Sequence, residues 1–536
     1  MTVIVLYTLL VALSLFVIAA LPRAVARFLS PGAWSLGWTL RHSPPRARDP
    51  LQRVPTAKRA ADWHGATVEK HVATSDRDKA YNWTDRYAIQ APRVAPRHVP
   101  SLRTFLFPIS RQFSKTICGY SVGQTIILAC YAVIIGFGIL FYSNPVTNPQ
   151  RAGWIAVSQY PVAVLLASKN SLIGLLVGKG YEKLNYLHRW VGRLMFISIV
   201  FHVVSFRELI TLNISAVIAD ISVVVKWTKM GILTQNMTGP MAVTGSIALG
   251  GVSFLAIGSL PAVRNRMWTV FSCSHWVGFG VAMGAVRAPY VLDYVAQLNW
   301  ITQTAYHVPE TLLWCLVSSG IYGLDLLLRI VQSHYVTATV YYVPELKATR
   351  VVVPELRSGW RAGQHVRMTV LSSAMGVTQT LETHPFTIAS TSEDEEGLVL
   401  YCHERGDWTR SLATLARGRI GGGISKFREA GSGSGQRVNV LIQGPYGTVL
   451  QVSIICVGHS PPPVSMAGGP GNTMFSSYSA AMFICGGSGI TFGLGATQDV
   501  IRDAFDRRSR LRLVDLVWTV QDACEFMRKL ADRAIY

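Results

Sequence analysis

The sequence is poor in acid. Against 50 Lys and Arg it has only 29 Asp and Glu, and charged residues fill 15 % of its 536 positions. Its eight cysteines include no C-x-x-C pair, which excludes the common zinc-binding and dithiol spacings and leaves no dense disulfide framework. No internal repeat is visible, and the opening residues MTVIVLYTLL lack the basic stretch of a cleaved secretory leader. So little charge beside 50 % hydrophobic residues also excludes disorder over most of the length. What remains is a net charge of +21 combined with a mean hydropathy of +0.31. Nucleic-acid binders share the charge but not the apolar content, so the expected partner is membrane lipid and not nucleic acid.

A bilayer core of about 30 Å needs roughly 20 mostly apolar residues per helix. Five such runs are clear, at 3–21, 122–142, 241–263, 268–286 and 311–331; two weaker ones, 154–177 and 188–206, carry Lys169 and Arg193. The count is about seven spans, the first read as a membrane anchor over residues 1–21. Basic residues crowd 22–120, a polar, Arg- and Pro-rich segment expected to be irregular, and Arg264 with Arg266 fill the short loop between the fifth and sixth spans. Both regions are expected to be cytoplasmic. Seven crossings then place the N-terminus and the 206–240 loop outside, and everything after about residue 333 in the cytosol. The sequons at Asn213 and Asn236 fall in that outer loop and are expected glycosylation sites, whereas the one at Asn82 falls inside and is expected to stay unmodified.

His188 and His202 share the fourth span. Fourteen residues on a helix advance about 21 Å and turn through roughly 1,400°, close to four full turns, so both imidazoles face one way at two depths. His275, early in the sixth span, starts at the depth of His188. Two imidazoles from facing helices supply both axial ligands of a haem iron, which makes His188 and His275 the inner pair. The matching partner for His202 would fall at Ala288 or Pro289, beside Arg287, and none of these is an axial ligand. The outer site is one ligand short; the readings are an absent haem, a five-coordinate haem, or replacement by another side chain such as His307, with a compromised outer haem ranked first.

After residue 333 the texture changes. Runs such as VTATVYYV, HVRMTVL and VNVLIQ, broken by Gly and Pro, predict a β-rich domain over 334–453. From about 479 an apolar strand, a Gly turn, a helix and a second strand at 511–520 predict the start of a parallel α/β sheet. GDWTRSL (406–412) places Gly406 and the Thr409 hydroxyl at a helix start, where backbone N–H groups attract a pyrophosphate; Arg405 or Arg410 would add charge. ICGGSGITFGL (484–494) follows a strand and opens a helix, the context in which glycines let backbone approach a dinucleotide phosphate.

The run from RAGWIAVSQYPV through YLHRWVGRL, the His188 and His202 pair, HPFTIAS (384–390), GDWTRSL, GPYG (444–447) and GGSGIT (486–491) together resemble the fungal ferric-chelate reductases, relatives of the NADPH oxidases and thus transmembrane flavocytochromes b. The resemblance runs from about residue 100 to the end. It implies an α-helical transmembrane haem bundle (121–333), a β-barrel FAD-binding domain (334–453) and a truncated α/β NADP-binding domain (479–536). By the same resemblance His384, Pro385, Phe386 and Thr387 bind FAD, GPYG closes the flavin domain, and Gly486, Gly487, Ser488, Gly489, Ile490 and Thr491 form the NADPH-binding turn. The implied cofactors are FAD, haem b and NADPH. The implied reaction carries electrons from cytosolic NADPH to an extracellular ferric or cupric chelate at the plasma membrane, in iron uptake. The alternatives are a superoxide-generating NADPH oxidase and a degenerate, non-catalytic paralogue.

Two departures stand out. Residues 448–467, apolar and then Pro-rich, read as an insert, either a retained intron or a surface loop. Tyr536 follows closely on the second strand of the nucleotide domain, where a full parallel sheet needs further βα units, and Cys524 does not match the family's Cys-Gly segment.

Overall fold

The computed structural model describes residues 2–28, 36–42, 112–113, 115–117, 119–143, 148, 150–218, 240–297, 310–418, 435–447, 453–456, 465–467 and 475–519. Two compact units emerge. The first comprises Met1–Ala19, Pro108–Val177 and Tyr181–Leu328; the second comprises Ala20–Phe107, Gly178–Gly180 and Arg329–Tyr536. Asn82, Asn236, His307 and Cys524 lie outside the described residues, as does most of 22–120.

The first unit is helical: α1 (Thr2–Phe28), α2 (Val122–Leu140), α3 (Gln150–Ser158), α4 (Tyr160–Ala167), α5 (Leu172–Val177), α6 (Tyr181–Ile218), α7 (Pro240–Gly258), α8 (Pro261–Arg266), α9 (Trp268–Gln297) and α10 (Glu310–Val331). Among the described residues four stretches are long and apolar enough to cross a membrane, Val3–Pro22, Val122–Leu140, Tyr181–Ser205 and Leu313–Val331, and two shorter apolar helices run over Val243–Gly258 and Val270–Ala285.

The apolar run at 154–177 is not one helix. Pro161 lacks an N–H to continue α3, so α4 starts afresh behind Gln159. The polar tetrapeptide Ser168–Ser171 then separates α4 from α5. There the Ser171 hydroxyl donates to the Leu165 carbonyl (2.6 Å) and accepts from Gly174 N, and Asn170 N donates to Asp325 Oδ1 (2.8 Å). The 206–240 loop is also shorter than the sequence reading has it. The segment RELITLNISAVI holds no Gly or Pro, and α6 continues through it to Ile218, so Asn213 sits on a helix.

Small residues let α7 and α9 close into a hairpin. A Cβ on Gly278 would meet Gly251 O at 2.7 Å and one on Gly251 would meet Ala282 N at 2.9 Å, while Gly258 abuts Ser274. Backbones this close gain dispersion contacts that lipid cannot replace.

The second unit holds a six-stranded antiparallel sheet built from β1 (Ser333–Val343), β2 (Ala348–Val353), β3 (His365–Val370), β4 (His384–Thr387), β5 (Leu398–His403) and β6 (Gln436–Tyr446). Its order is β4-β3-β6-β1-β2-β5, and a bridge between Ile388 and Leu400 nearly closes it into a barrel. Alternation sets the register: Val336, Ala338 and Val340 of β1 point inward opposite Val440, Val438 and Gln436 of β6. Trp360, fully buried, fills the barrel and donates its indole N–H to Ser390 O (2.9 Å).

A second sheet, ordered β8-β7-β9-β10, combines β9 (Ala480–Gly486) and β10 (Leu513–Thr519), which are parallel, with β7 (Ser453–Cys456) and β8 (Ser465–Ala467). Both β7 and β8 come from the 448–467 insert. Strand β7 pairs antiparallel with β9, Ile455 opposite Met482 and Ile454 opposite Phe483, so these residues form part of a sheet. Between β9 and β10 runs the crossover helix α12 (Ile490–Phe505).

Candidate functional site

In the helical unit His188 and His275 are each held through a ring nitrogen. His188 Nδ1 lies 2.9 Å from the carbonyl oxygen of Ala163 in α4; a carbonyl only accepts, so Nδ1 carries the proton and Nε2 keeps its lone pair. His275 Nδ1 lies 3.4 Å from Ser259 Oγ, whose own proton goes to Leu255 O (2.6 Å). This imidazole too is held through Nδ1. Beside His188, Arg189 Nε and Trp190 Nε1 are shielded from solvent and find no hydrogen-bond partner among the described residues. Two imidazoles with fixed tautomers and nearby unspent donors fit a haem with its carboxylates.

His202 follows on α6, and α3 approaches it through Gly153: a Cβ there would sit 2.9 Å from the ring. The side chains of Ala288 and Pro289 are outside the described set, and among those residues no group of three His, Cys, Asp or Glu is placed to hold a bare metal ion. Sequence reasoning missed Ala163, Ser259 and Gly153, because a backbone carbonyl, a serine and a glycine carry no signal until the fold sets them against the rings.

In the barrel unit HPFT forms β4, paired with β3 in the register His365 to Thr387 and Met368 to His384. The helix α11 (Asp407–Ala416) stands against this strand. Its Trp408, 3 % exposed, stacks on Phe386 (5.7 Å between centroids) and lies 4.6 Å from the His384 ring. The Trp408 indole donates to Gln379 O (3.0 Å), and the His384 Nε2 meets Glu382 Oε2 at 2.9 Å. Pro385 is exposed; Phe386 and Thr387 are half-buried. The Thr409 hydroxyl accepts from the backbone N–H groups of Arg405 (2.9 Å) and Gly406 (3.0 Å), so it fixes the helix start, with Gly406 as its cap. Arg410 pairs with Asp407 at the surface. Trp408 lies within GDWTRSL, and the apolar spacing Trp408, Leu412, Leu415 is the signal that buries it.

In the second sheet, Gly486, Gly487 and Ser488 form an exposed turn leaving β9. Gly487 has φ of +49°, the left-handed region that glycine enters without cost. From β10 the Trp518 indole donates to Gly487 O (3.0 Å), and the buried Thr491 hydroxyl donates to Ser488 O (3.0 Å). Gly493 allows the helix to close on the strand: a Cβ there would sit 2.5 Å from Cys485 Sγ. This strand, turn and helix suit a phosphate held by backbone N–H groups, with Gly489 and Ile490 opening α12.

On the same helix, burial and then neighbouring Asp503 push the Asp499 carboxyl up to about 7, against the pull of Arg502, Arg508 and Arg361. Its ordinary value is near 4, so between about pH 4 and pH 7 the folded chain binds more protons than the unfolded one, and stability falls as pH rises through that window. Thermal unfolding followed by tryptophan fluorescence should therefore show this unit more stable at pH 5 than at pH 8, by about 1–3 kcal/mol. Asp499→Asn should flatten the difference; a variant retaining the full slope would contradict the assignment.

Comparison with known proteins agrees with this geometry. Residues 152–286 match the family described as ferric reductase like transmembrane component, and residues 336–450 match an FAD-binding domain. These define an integral membrane protein with a flavin-binding barrel following its transmembrane part. Over these two segments the chain is similar to the ferric reductases. It is 24 % identical to a probable cell surface ferric reductase of Aspergillus oryzae over 71 % of this chain and 44 % of that protein. It is 26 % identical to a probable metalloreductase of Scheffersomyces stipitis over 52 % of this chain and 47 % of that protein. It is 21 % identical to ferric reductase transmembrane component 1 of Schizosaccharomyces pombe over 82 % and 76 %. The chain thus spans just under half the length of the first two relatives.

Proposed function

We propose that this protein is a transmembrane ferric-chelate reductase that passes electrons from cytosolic NADPH, through FAD and haem b, to a ferric or cupric chelate outside the plasma membrane, serving iron uptake. The observation that supports this best is the pair His188 and His275, each hydrogen-bonded through Nδ1, to Ala163 O and to Ser259 Oγ, which leaves Nε2 of each as the proposed iron ligand. The bound flavin supplies the conversion of a hydride's two electrons into single ones, and haem supplies one-electron carriage. The residues of this chain bind and orient. Ala163 O and Ser259 Oγ fix the tautomers of His188 and His275; His384, Phe386 and Thr387 present β4 to the flavin, backed by Trp408; Gly486 to Thr491 offer backbone N–H groups to the NADPH phosphates. The topology that goes with this has about seven spans, with the barrel and nucleotide unit in the cytosol and Asn213 and Asn236 glycosylated outside.

Reduction of a ferric chelate by membranes carrying the protein, with NADPH as donor, tests the acceptor. Iron reduction unchanged by superoxide dismutase is expected. Reduction abolished by the dismutase would point instead to an oxidase releasing superoxide, and no NADPH-dependent reduction at all to a non-catalytic paralogue.

A further inference from the structure

The short segment Leu36–His42 stands apart from its Arg- and Pro-rich surroundings because it is built into the barrel. Gly37 N donates to Gly359 O and Arg41 N to Ser358 O, both at 2.8 Å, while Arg41 O accepts from Arg357 N (3.2 Å) and Ser358 N (3.3 Å). Leu40, 3 % exposed, enters the same core as Trp360, Ile388 and Leu398. Two buried glutamines spend their side-chain N–H groups on the segment: Gln332 Nε2 donates to Trp38 O (3.0 Å) and Gln364 Nε2 to Gly37 O (3.1 Å). Without the segment, the barrel would expose apolar core at Leu40's seat and leave both amides short of an acceptor.

The receiving surface is shaped for it. Gly359 has φ of +103°, and a Cβ there would overlap the Thr39 carbonyl; at Gly37, φ is +88° and a Cβ would sit 2.5 Å from Arg361 Nε. The same residues connect to the flavin strand. Gln364 O accepts from Ile388 N (3.0 Å), Trp360 Nε1 donates to Ser390 O (2.9 Å), and Gly359 N donates to Ser392 Oγ (3.2 Å). HPFTIAS is therefore fixed, along its exit from β4, by residues that the segment itself fixes.

We propose that residues 36–42 are a strap belonging to the flavin domain, and that docking of this strap on Arg357–Gln364 holds the HPFTIAS segment in its flavin-binding shape. The flavin clause rests on the functional reading above; the docking does not. The strap follows α1 by seven residues in the sequence, so flavin retention depends on a stretch of chain nearly 300 residues before the barrel's first strand.

Hydrogen–deuterium exchange on the detergent-solubilised full chain, with FAD added, tests this. In the parent, amides of 36–42 are expected to exchange about 100-fold more slowly than in a free chain. Leu40→Asp, and independently Gly359→Ala from the receiving side, should abolish that protection, raise exchange over 357–364 and 384–390, and weaken FAD binding about tenfold. Unchanged exchange in β1 and β6, the central strands of the barrel sheet, shows that the variants remain folded; for a variant that does not fold, Leu40→Ala replaces it. Free-chain exchange of 36–42 in the parent overturns the strap. Lost protection with unchanged FAD affinity overturns its link to flavin. A parent that binds no FAD yet protects 36–42 sinks the flavin reading and leaves the docking standing.

Discussion

His188→Ala is expected to abolish the absorbance of the inner haem while leaving FAD bound. The His188 ring is fixed by its bond to Ala163 O, so only Nε2 remains to ligate, and alanine offers neither nitrogen nor ring. In the proposed two-histidine site His275 alone would be left to hold the iron, and the absorbance of a haem held by two imidazoles would be lost. His202→Ala serves as the control, because that ring sits three residues before the end of the apolar stretch Tyr181–Ser205, against Gly153, and should leave the inner band intact. Haem spectra of the purified variants, normalised to flavin, read the result. A His188→Ala spectrum identical to the parent would remove the ligand assignment.

Trp408→Ala should have the next largest effect, now on the barrel. The indole is nearly fully buried, touches both ring side chains of the HPFT strand and donates to Gln379 O. Truncating a buried tryptophan costs about 3–5 kcal/mol. It also withdraws the surface on which His384 and Phe386 rest, so flavin should leave at lower temperature. Trp408→Phe keeps most of the stacking and loses one hydrogen bond, a cost of about 1–2 kcal/mol. Flavin fluorescence released on heating measures both. An alanine variant releasing flavin at the parent's temperature would show that α11 does not support the strand.

The parts of this molecule written in local pattern were legible before the fold was seen. Fourteen-residue spacing puts His188 and His202 on one face, alternation in VTATVYYV makes a strand, and the Gly turn after AAMFICGG opens a helix; each depends on neighbours in sequence. What was not legible depends on distant partners. Residues 154–177 read as one apolar run, because nothing in the local pattern tells that Asn170 finds Asp325 or that Ser171 turns back to Leu165. Leu40 is a single apolar residue near a basic, Pro-rich stretch, and its place in the barrel core follows only from Gly359, Gln332 and Gln364 far along the chain. Gly406 and Thr409 do stand at a helix start, but local pattern does not tell that the Thr409 hydroxyl accepts from the backbone amides of Arg405 and Gly406. Ser453–Cys456 had a strand's composition within an unexplained insert, but composition does not name the sheet it joins.

The central claim is that histidines held by Nδ1 within apolar helices receive electrons from a flavin bound by the barrel domain of the same chain. A reduced-minus-oxidised optical spectrum of the purified full chain, with NADPH as the only reductant, tests it most directly. Bound flavin together with a haem band that NADPH bleaches and restores in its reduced form is the predicted result; a protein isolated from iron- and riboflavin-replete cells without colour would contradict it.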